Sequence, residues 1–210
     1  MYYTLYIILY IMRKILSEIE NPIDNFIYIF VEFLAPYAYT LGFTPNMITT
    51  LSVIFSLASI YYLYIHSFGI SIFLYIISYF FDCLDGYVAR KYNMVSKFGD
   101  LYDHISDLVS FIGYNITLYL INPKLFTMFL PIILFFLVGS QIHLAYQELY
   151  YNKPSESASL NLLTTLFITD KKMGKSKIHD IMKYTRYFGV GTLHMSIVCI
   201  TLIYSNFYSI

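Results

Sequence analysis

Apolar residues arrive in long blocks, and the polar residues between them fall in short clusters. The row from Asn46 to about Ile65 is almost wholly apolar, and comparable blocks run at about Gly69–Val88, Asp103–Ile121, Lys124–Gln147 and Tyr187–Tyr208. A hydrocarbon core about 30 Å thick needs about 20 predominantly apolar residues in a helix, so each block is long enough to span it. Inside lipid every backbone polar group must be satisfied within the segment, which makes these blocks helices. Thr44-Pro45 opens the first block and Asn21-Pro22 opens a shorter one. In both, a side-chain oxygen precedes a proline at the first helical position, where its missing N–H costs nothing. The shorter helix, about Pro22–Leu34, carries Asp24, Asn25 and Glu32. It is expected to break near Pro36 and reads as lying along the membrane surface.

Met1–Met12 is apolar but too short to cross. Its charges, Arg13 and Lys14, stand on the wrong side for a signal peptide, and no small-residue cleavage site follows. It is expected to be interfacial. Near the other end, Leu160–Ile168 within Ser155–Asp170 is too short for a normal crossing. A surface or re-entrant helix is expected there, with a sixth span as the alternative. The predicted fold is all-α, a polytopic transmembrane helical bundle of five to six spans. Residues 1–44 form its N-terminal interfacial, amphipathic region and residues 45–210 its transmembrane domain.

Basic residues give the orientation. Arg13 and Lys14 precede the first span, and Arg90, Lys91 and Lys97 separate the second from the third. Lys153, Lys171, Lys172, Lys175, Lys177, Lys183 and Arg186 separate the fourth from the fifth, while the other loops hold only Lys124. All three basic segments fall on one side, which the positive-inside rule makes cytoplasmic. Composition agrees: 58% of the 210 residues are hydrophobic and 12% charged, half of the roughly 25% usual in soluble domains. A formal net charge of zero argues against a nucleic-acid partner, which would call for a basic excess. Cys83 and Cys199 form no C-x-x-C pair and read as small packing residues rather than zinc ligands or a disulfide.

Against that scarcity of charge stands one acidic constellation. It reads Asp82-x-x-Asp85-Gly86-x-x-Ala89-Arg90, then eight residues, then Gly99-x-x-x-Asp103-x-x-x-Asp107. Helical spacing puts Asp82 and Asp85 near one face at the end of the second span, and Asp103 and Asp107 on one face at the start of the third. Two helix ends joined by a short basic loop can bring the four carboxylates around one small volume. Each aspartate costs roughly 2.5–3.5 kcal/mol at the centre of a membrane helix, so the group needs counter-charge. Hard divalent cations suit it: magnesium takes a few carboxylates and leaves positions for phosphate oxygens. Two such ions roughly 3.5–4 Å apart would clamp a diphosphate for in-line displacement. Gly86, Ala89 and Gly99 lack the bulk that would keep a base or sugar from the backbone, and Arg90 can hold a phosphate or an aspartate. Eight fixed positions arising by chance has odds on the order of one in a hundred million at about 5–7% each. That disfavours a merely solvated loop. An acidic cation-transport path is the other competing reading.

With these residues in place the chain resembles the CDP-alcohol phosphatidyltransferase family, whose signature the constellation meets without gap or substitution. Thr44-Pro45-Asn46 followed by Ile48-Thr49 also looks like that family's entry to its first membrane helix, and the likeness covers about residues 21–147. The resemblance implies a reaction in which a CDP-linked alcohol gives a substituted phosphate to an acceptor hydroxyl and CMP leaves. It implies Asp82, Asp85 and Asp103 as ligands of magnesium or manganese, two ions in all. Asp107 would be a further ligand or the base for the acceptor. Gly86, Ala89 and Gly99 would line the cytidine pocket, Arg90 would support the diphosphate or the carboxylates, and Asn46 would touch the nucleotide. The partners implied are a CDP-alcohol donor, a lipid or small polar alcohol acceptor, surrounding membrane lipid and a second copy in a homodimer.

His104 beside Asp103 resembles the choline and ethanolamine branch, where such a histidine is the proposed general base toward diacylglycerol. Ile105-Ser106 departs from that branch's Gly-Cys. The first expectation is therefore CDP-choline or CDP-ethanolamine with diacylglycerol. The alternative is CDP-diacylglycerol with serine, glycerol phosphate or inositol, and a cation transporter or inactive scaffold is the alternative of another class. Gln141, His143, Glu148 and His194 read chiefly as interhelical hydrogen-bonding residues. Lys183 and Arg186, at the membrane edge, can hold a substrate phosphate or anchor to anionic lipid.

Overall fold

The computed structural model describes residues 15–151, 168 and 173–208. Met1–Met12 and, Ile168 apart, Ser155–Asp170 lie outside the described residues. The described residues form helices in the order α1 (Pro22–Thr40), α2 (Pro45–Tyr64), α3 (Phe68–Lys91), α4 (Lys97–Ile121), α5 (Pro123–Tyr151), α6 (Lys175–Thr185), a 3-10 turn at Arg186–Phe188, and α7 (Val190–Tyr208), joined by short turns where the link is described. The chain is thus the expected all-α polytopic bundle and an integral membrane protein. Among the described residues, four stretches are long and apolar enough to cross a bilayer: α2, α3, α5 through Tyr150, and Lys175–Tyr208, which ends in α7. The expected third span, α4, has 25 residues, but Lys97, Asp100, Asp103 and Asp107 load its first half with charge.

The described residues form two compact units. One holds those within Phe26–Phe129 and Val198–Ile210, the other those within Ile15–Asn25 and Leu130–Ile197. In the first unit α2 packs along α3 and α4. Its buried face is polar: Thr49, Ser52, Ser56 and Ser59 recur at helical spacing, while Ile54, Leu57, Tyr61 and Tyr64 are exposed. Lipid tails offer no hydrophobic drive toward helix association, so small hydroxylated residues that let backbones close up do that work instead. Ser52 Oγ donates to the Ser78 carbonyl and Ser78 Oγ to the Ser52 carbonyl, both at 2.9 Å. One level further from the acidic end, Ser59 Oγ donates to the Ser71 carbonyl at 2.8 Å. Tyr114 of α4 then bridges Ser71 and Thr201 of α7 through its hydroxyl, at 3.2 Å to each.

The expected break at Pro36 does not occur: α1 runs on to Thr40 with Pro36 inside it. The proline removes one ladder hydrogen bond. Around it Val31, Ala35, Leu34 and Ala38 pack against Leu84, Tyr87 and Val88 of α3, and that burial offsets the loss. The helix instead ends at Gly42, whose φ of 84° is the left-handed conformation a Schellman cap requires. Phe43 N–H then reaches the Ala38 carbonyl and Gly42 N–H the Tyr39 carbonyl, both at 3.0 Å.

In the second unit Ile15 and Ile19 pack with Ile178 and Met182 of α6. Asn21 caps α1 as expected, its Oδ1 accepting Ile23 N–H at 2.9 Å. Its amide also donates to the Arg186 carbonyl and to Thr192 Oγ1. Cys83, half-buried on α3, and Cys199, exposed on α7, are both thiols.

Candidate active site

The acidic motif is carried across two helix ends. Helix α3 runs three residues beyond the expected Val88, so Arg90 and Lys91 form its last turn. It ends on Asn93, with a φ of 54°, and Met94 N–H returns to the Ala89 carbonyl at 2.8 Å. Asparagine tolerates this left-handed position better than most residues, which makes the turn into α4 tight. Ser96 then caps α4, its Oγ accepting Gly99 N–H at 3.0 Å. The cap places Gly99 and Asp103 one turn apart at the start of α4.

This arrangement brings Asp82, Asp85 and Asp103 together. One carboxylate oxygen from each lies within 4.8 Å of the other two. Asp85 is only 3% exposed, while Asp82 and Asp103 are half-buried. A magnesium–oxygen bond of about 2.0–2.1 Å puts ligands on opposite sides of an ion about 4.2 Å apart. Three hard oxygen donors inside 4.8 Å therefore fit a divalent cation in both chemistry and size. Asp107 does not belong to this convergent group. It stands one turn further along α4, about 6 Å on at 1.5 Å per residue, and is exposed. Its carboxylate, like that of Asp82, is within electrostatic reach of the buried Tyr75 phenol of α3.

The small residues are where the motif needs them. A Cβ on Gly99 would stand 2.9 Å from Asn46 Oδ1 and 3.0 Å from Ser96 Oγ, so the missing side chain is what lets α2 approach α4 here. Asn46 and Gly99, picked out separately in the sequence, are thus in contact. A Cβ on Gly86 would meet Arg90 Nη1 at 3.0 Å, because the guanidinium folds back along its own helix. Arg90 Nη2 reaches the Tyr28 hydroxyl of α1 at 3.5 Å. Ala89 is half-buried, with its carbonyl engaged in the helix cap.

Two neighbours of the site carry no signal in the motif. Thr49 of α2, 3% exposed, donates its hydroxyl to Asp85 Oδ2 at 2.5 Å. Thr50 meets the Tyr102 hydroxyl at 3.1 Å, tying α2 to the turn of α4 that bears Asp103. Thr49 already stands in the family's entry to its first membrane helix, and the hint for Thr50 is its place beside it, one turn into α2.

Two further expected residues have defined hydrogen-bond partners of their own. His104 is 44% exposed, and its Nδ1 lies 2.9 Å from the Asp100 backbone carbonyl, the helix's own preceding turn. Arg186 belongs to the second unit, where its guanidinium donates to the Glu18 carbonyl at 2.5 Å and to the Tyr187 hydroxyl at 3.2 Å. His143 makes the kind of interhelical bond expected of it, Nδ1 to Thr185 Oγ1 at 2.9 Å.

The family model for CDP-alcohol phosphatidyltransferases matches residues 43–178, from the residue before the α2 cap through both halves of the acidic motif. The chain belongs to the CDP-alcohol phosphatidyltransferase family. Two curated relatives, both named CDP-diacylglycerol–serine O-phosphatidyltransferase and from two strains of Helicobacter pylori, are 35% and 37% identical over 82 residues. In each case the match spans 34% of this chain and 35% of the relative, so it covers little more than a third of those proteins. No solved structure matches the chain. Within the family signature, Asp82, Asp85 and Asp103 converge, and Gly99 touches Asn46 of α2.

Proposed function

We propose that this chain is a metal-dependent phosphatidyltransferase of phospholipid synthesis. It moves the phosphatidyl group of CDP-diacylglycerol to the hydroxyl of a small polar acceptor, serine first among the candidates. The observation that carries this reading is the convergence of three carboxylate oxygens within 4.8 Å inside the segment that matches the family. The activity for which the two relatives are named favours serine over glycerol phosphate and inositol. It also displaces the earlier preference for CDP-choline or CDP-ethanolamine, which rested on His104. That ring is engaged with the Asp100 carbonyl of its own helix.

Asp82, Asp85 and Asp103 would hold magnesium or manganese, two ions on this reading. Such ions would neutralise the diphosphate and stabilise charge on the departing CMP. The chain's own residues do the rest. Gly86 leaves room for the Arg90 guanidinium and Gly99 for Asn46, the groups this reading sets against the nucleotide, and Ala89 adds little bulk beside them. Arg90, steadied by Tyr28, supplies positive charge beside the phosphates. Asp107, exposed one turn beyond Asp103, takes the proton of the acceptor hydroxyl. The acceptor oxygen bonds to the phosphorus that bears diacylglycerol, the bond from that phosphorus to the bridging oxygen breaks, and CMP leaves with the electron pair. By the positive-inside rule, Arg90, Lys91 and Lys97 favour the cytoplasmic side for this end of the helices.

The test is purified protein in lipid, given labelled CDP-diacylglycerol with serine, glycerol phosphate or inositol, and in parallel CDP-choline or CDP-ethanolamine with diacylglycerol. The product lipid is identified by mass. A phosphatidylserine product with matching CMP release is the expected result. No CMP from any pairing, with either metal, would overturn the proposal in favour of a transporter or an inactive scaffold.

A further inference from the structure

The acidic trio is built from two helices, but one of its members is held by a third. Asp85 is almost fully buried, and the side chain bonded to it is Thr49 of α2, at 2.5 Å from Oδ2. Thr49 Oγ1 also lies 3.1 Å from the Pro45 carbonyl, four residues back in its own helix. A hydroxyl has one proton, and the shorter contact, to a carboxylate, is the one expected to take it: charge-assisted O–H···O⁻ bonds run about 2.5–2.7 Å. The 3.1 Å approach to the Pro45 carbonyl marks the side chain as being in one of the two rotamers a helical threonine prefers, the one that carries its hydroxyl to Asp85. The adjacent Thr50 makes the same backbone contact, to Asn46 at 2.8 Å, yet faces Tyr102 instead. The bond to Asp85 is therefore particular to the face Thr49 occupies, not a general habit of threonines in this helix.

We infer that Thr49 is a positioning residue for the metal centre: it occupies one lone pair of Asp85 Oδ2 and so aims the remaining carboxylate lone pairs at the space shared with Asp82 and Asp103. This rests on the proposed metal-binding role of the three aspartates. Outer partners that orient a ligating carboxylate typically change metal affinity by about 10–100-fold when removed.

The experiment is manganese binding to the purified full chain in lipid nanodiscs, followed by the electron paramagnetic resonance signal of free manganese, with melting in EDTA measured alongside. Thr49→Val keeps the shape and loses the hydroxyl, whereas Thr49→Ser keeps the hydroxyl. The expected result is binding weakened at least about 10-fold in Thr49→Val and restored to within about 3-fold in Thr49→Ser, with all three proteins melting alike in EDTA. Wild-type affinity in a folded Thr49→Val protein would overturn the Thr49 role and leave the metal reading intact. So would a Thr49→Ser variant as weak as Thr49→Val. Absence of manganese binding by the wild-type protein would overturn the metal reading itself, and the Thr49 role with it.

Discussion

Replacing Asp103 by asparagine tests the electrostatics of the trio with almost no change in volume. At the outer limit of 4.8 Å, two unit charges repel by about 3.5 kcal/mol for an effective dielectric of about 20. Asp103 takes part in two of the three pairs, so at least about 7 kcal/mol of repulsion would be at stake if all three carboxylates were charged with no ion bound. Solvent protons and counter-ions offset much of this, and a residual gain of about 1–2 kcal/mol is a reasonable share. At about 2–4 °C per kcal/mol for a chain of this size, Asp103→Asn should melt about 2–8 °C higher than wild type in EDTA. Saturating magnesium should reverse the order. An ion present at about 100 times its dissociation constant stabilises the wild type by about 2.7 kcal/mol, and the variant, short of a ligand charge, should gain little. The assay is thermal unfolding of both proteins in detergent, with and without magnesium, beside CMP release, which the variant should lose by at least about 1000-fold. A variant that melts lower than wild type in EDTA, or that keeps the full magnesium shift, would refute the reasoning.

Gly99→Ala places a methyl 2.9 Å from Asn46 Oδ1 and should push Asn46 off the nucleotide edge. The expected effect is about a 10-fold rise in KM for the CDP-linked donor with a smaller change in kcat, about 1.4 kcal/mol of uniform binding, read from initial rates. His104→Ala separates the two substrate readings: a change of a few-fold in CMP release fits the serine reading, whereas a loss of about 100-fold or more would make the ring a general base. In the second unit, the Asp24 carboxylate accepts the Gly191 N–H at 3.4 Å, and a Cβ on Gly191 would collide with that same carboxylate. Gly191→Ala should therefore destabilise the protein by about 2–3 kcal/mol, seen as a lower melting temperature whether or not metal is present.

Much of this molecule is legible in its row of letters. Thr44-Pro45 and Asn21-Pro22 announce helix starts because their chemistry is local, and the structure begins α2 and α1 there. The acidic motif is legible for the same reason: spacing of three and four residues on a helix fixes which carboxylates share a face. Long-range effects were not legible. Pro36 should stop a helix, and only the packing of Ala35 and Ala38 on α3 explains why it does not. The serines of α2 look incidental in an apolar span until Ser78 and Ser71 are found opposite them. Asp107 looks equivalent to Asp103 in sequence, but one helical turn of rise takes it out of the convergent group. Thr49 belongs to no acidic pattern at all, and its bond to Asp85 emerges only when α2 and α3 are side by side.

The most direct measurement is a crystal structure of the protein grown with manganese and CDP-diacylglycerol, with the metal located by its anomalous scattering. The account places two anomalous peaks at the trio, one of them within about 2.1–2.3 Å of an oxygen from each of Asp82, Asp85 and Asp103, with the donor's diphosphate on their open side. A nucleotide bound at Asn46 and Gly99 with no peak between those carboxylates, or manganese found only elsewhere, would contradict it.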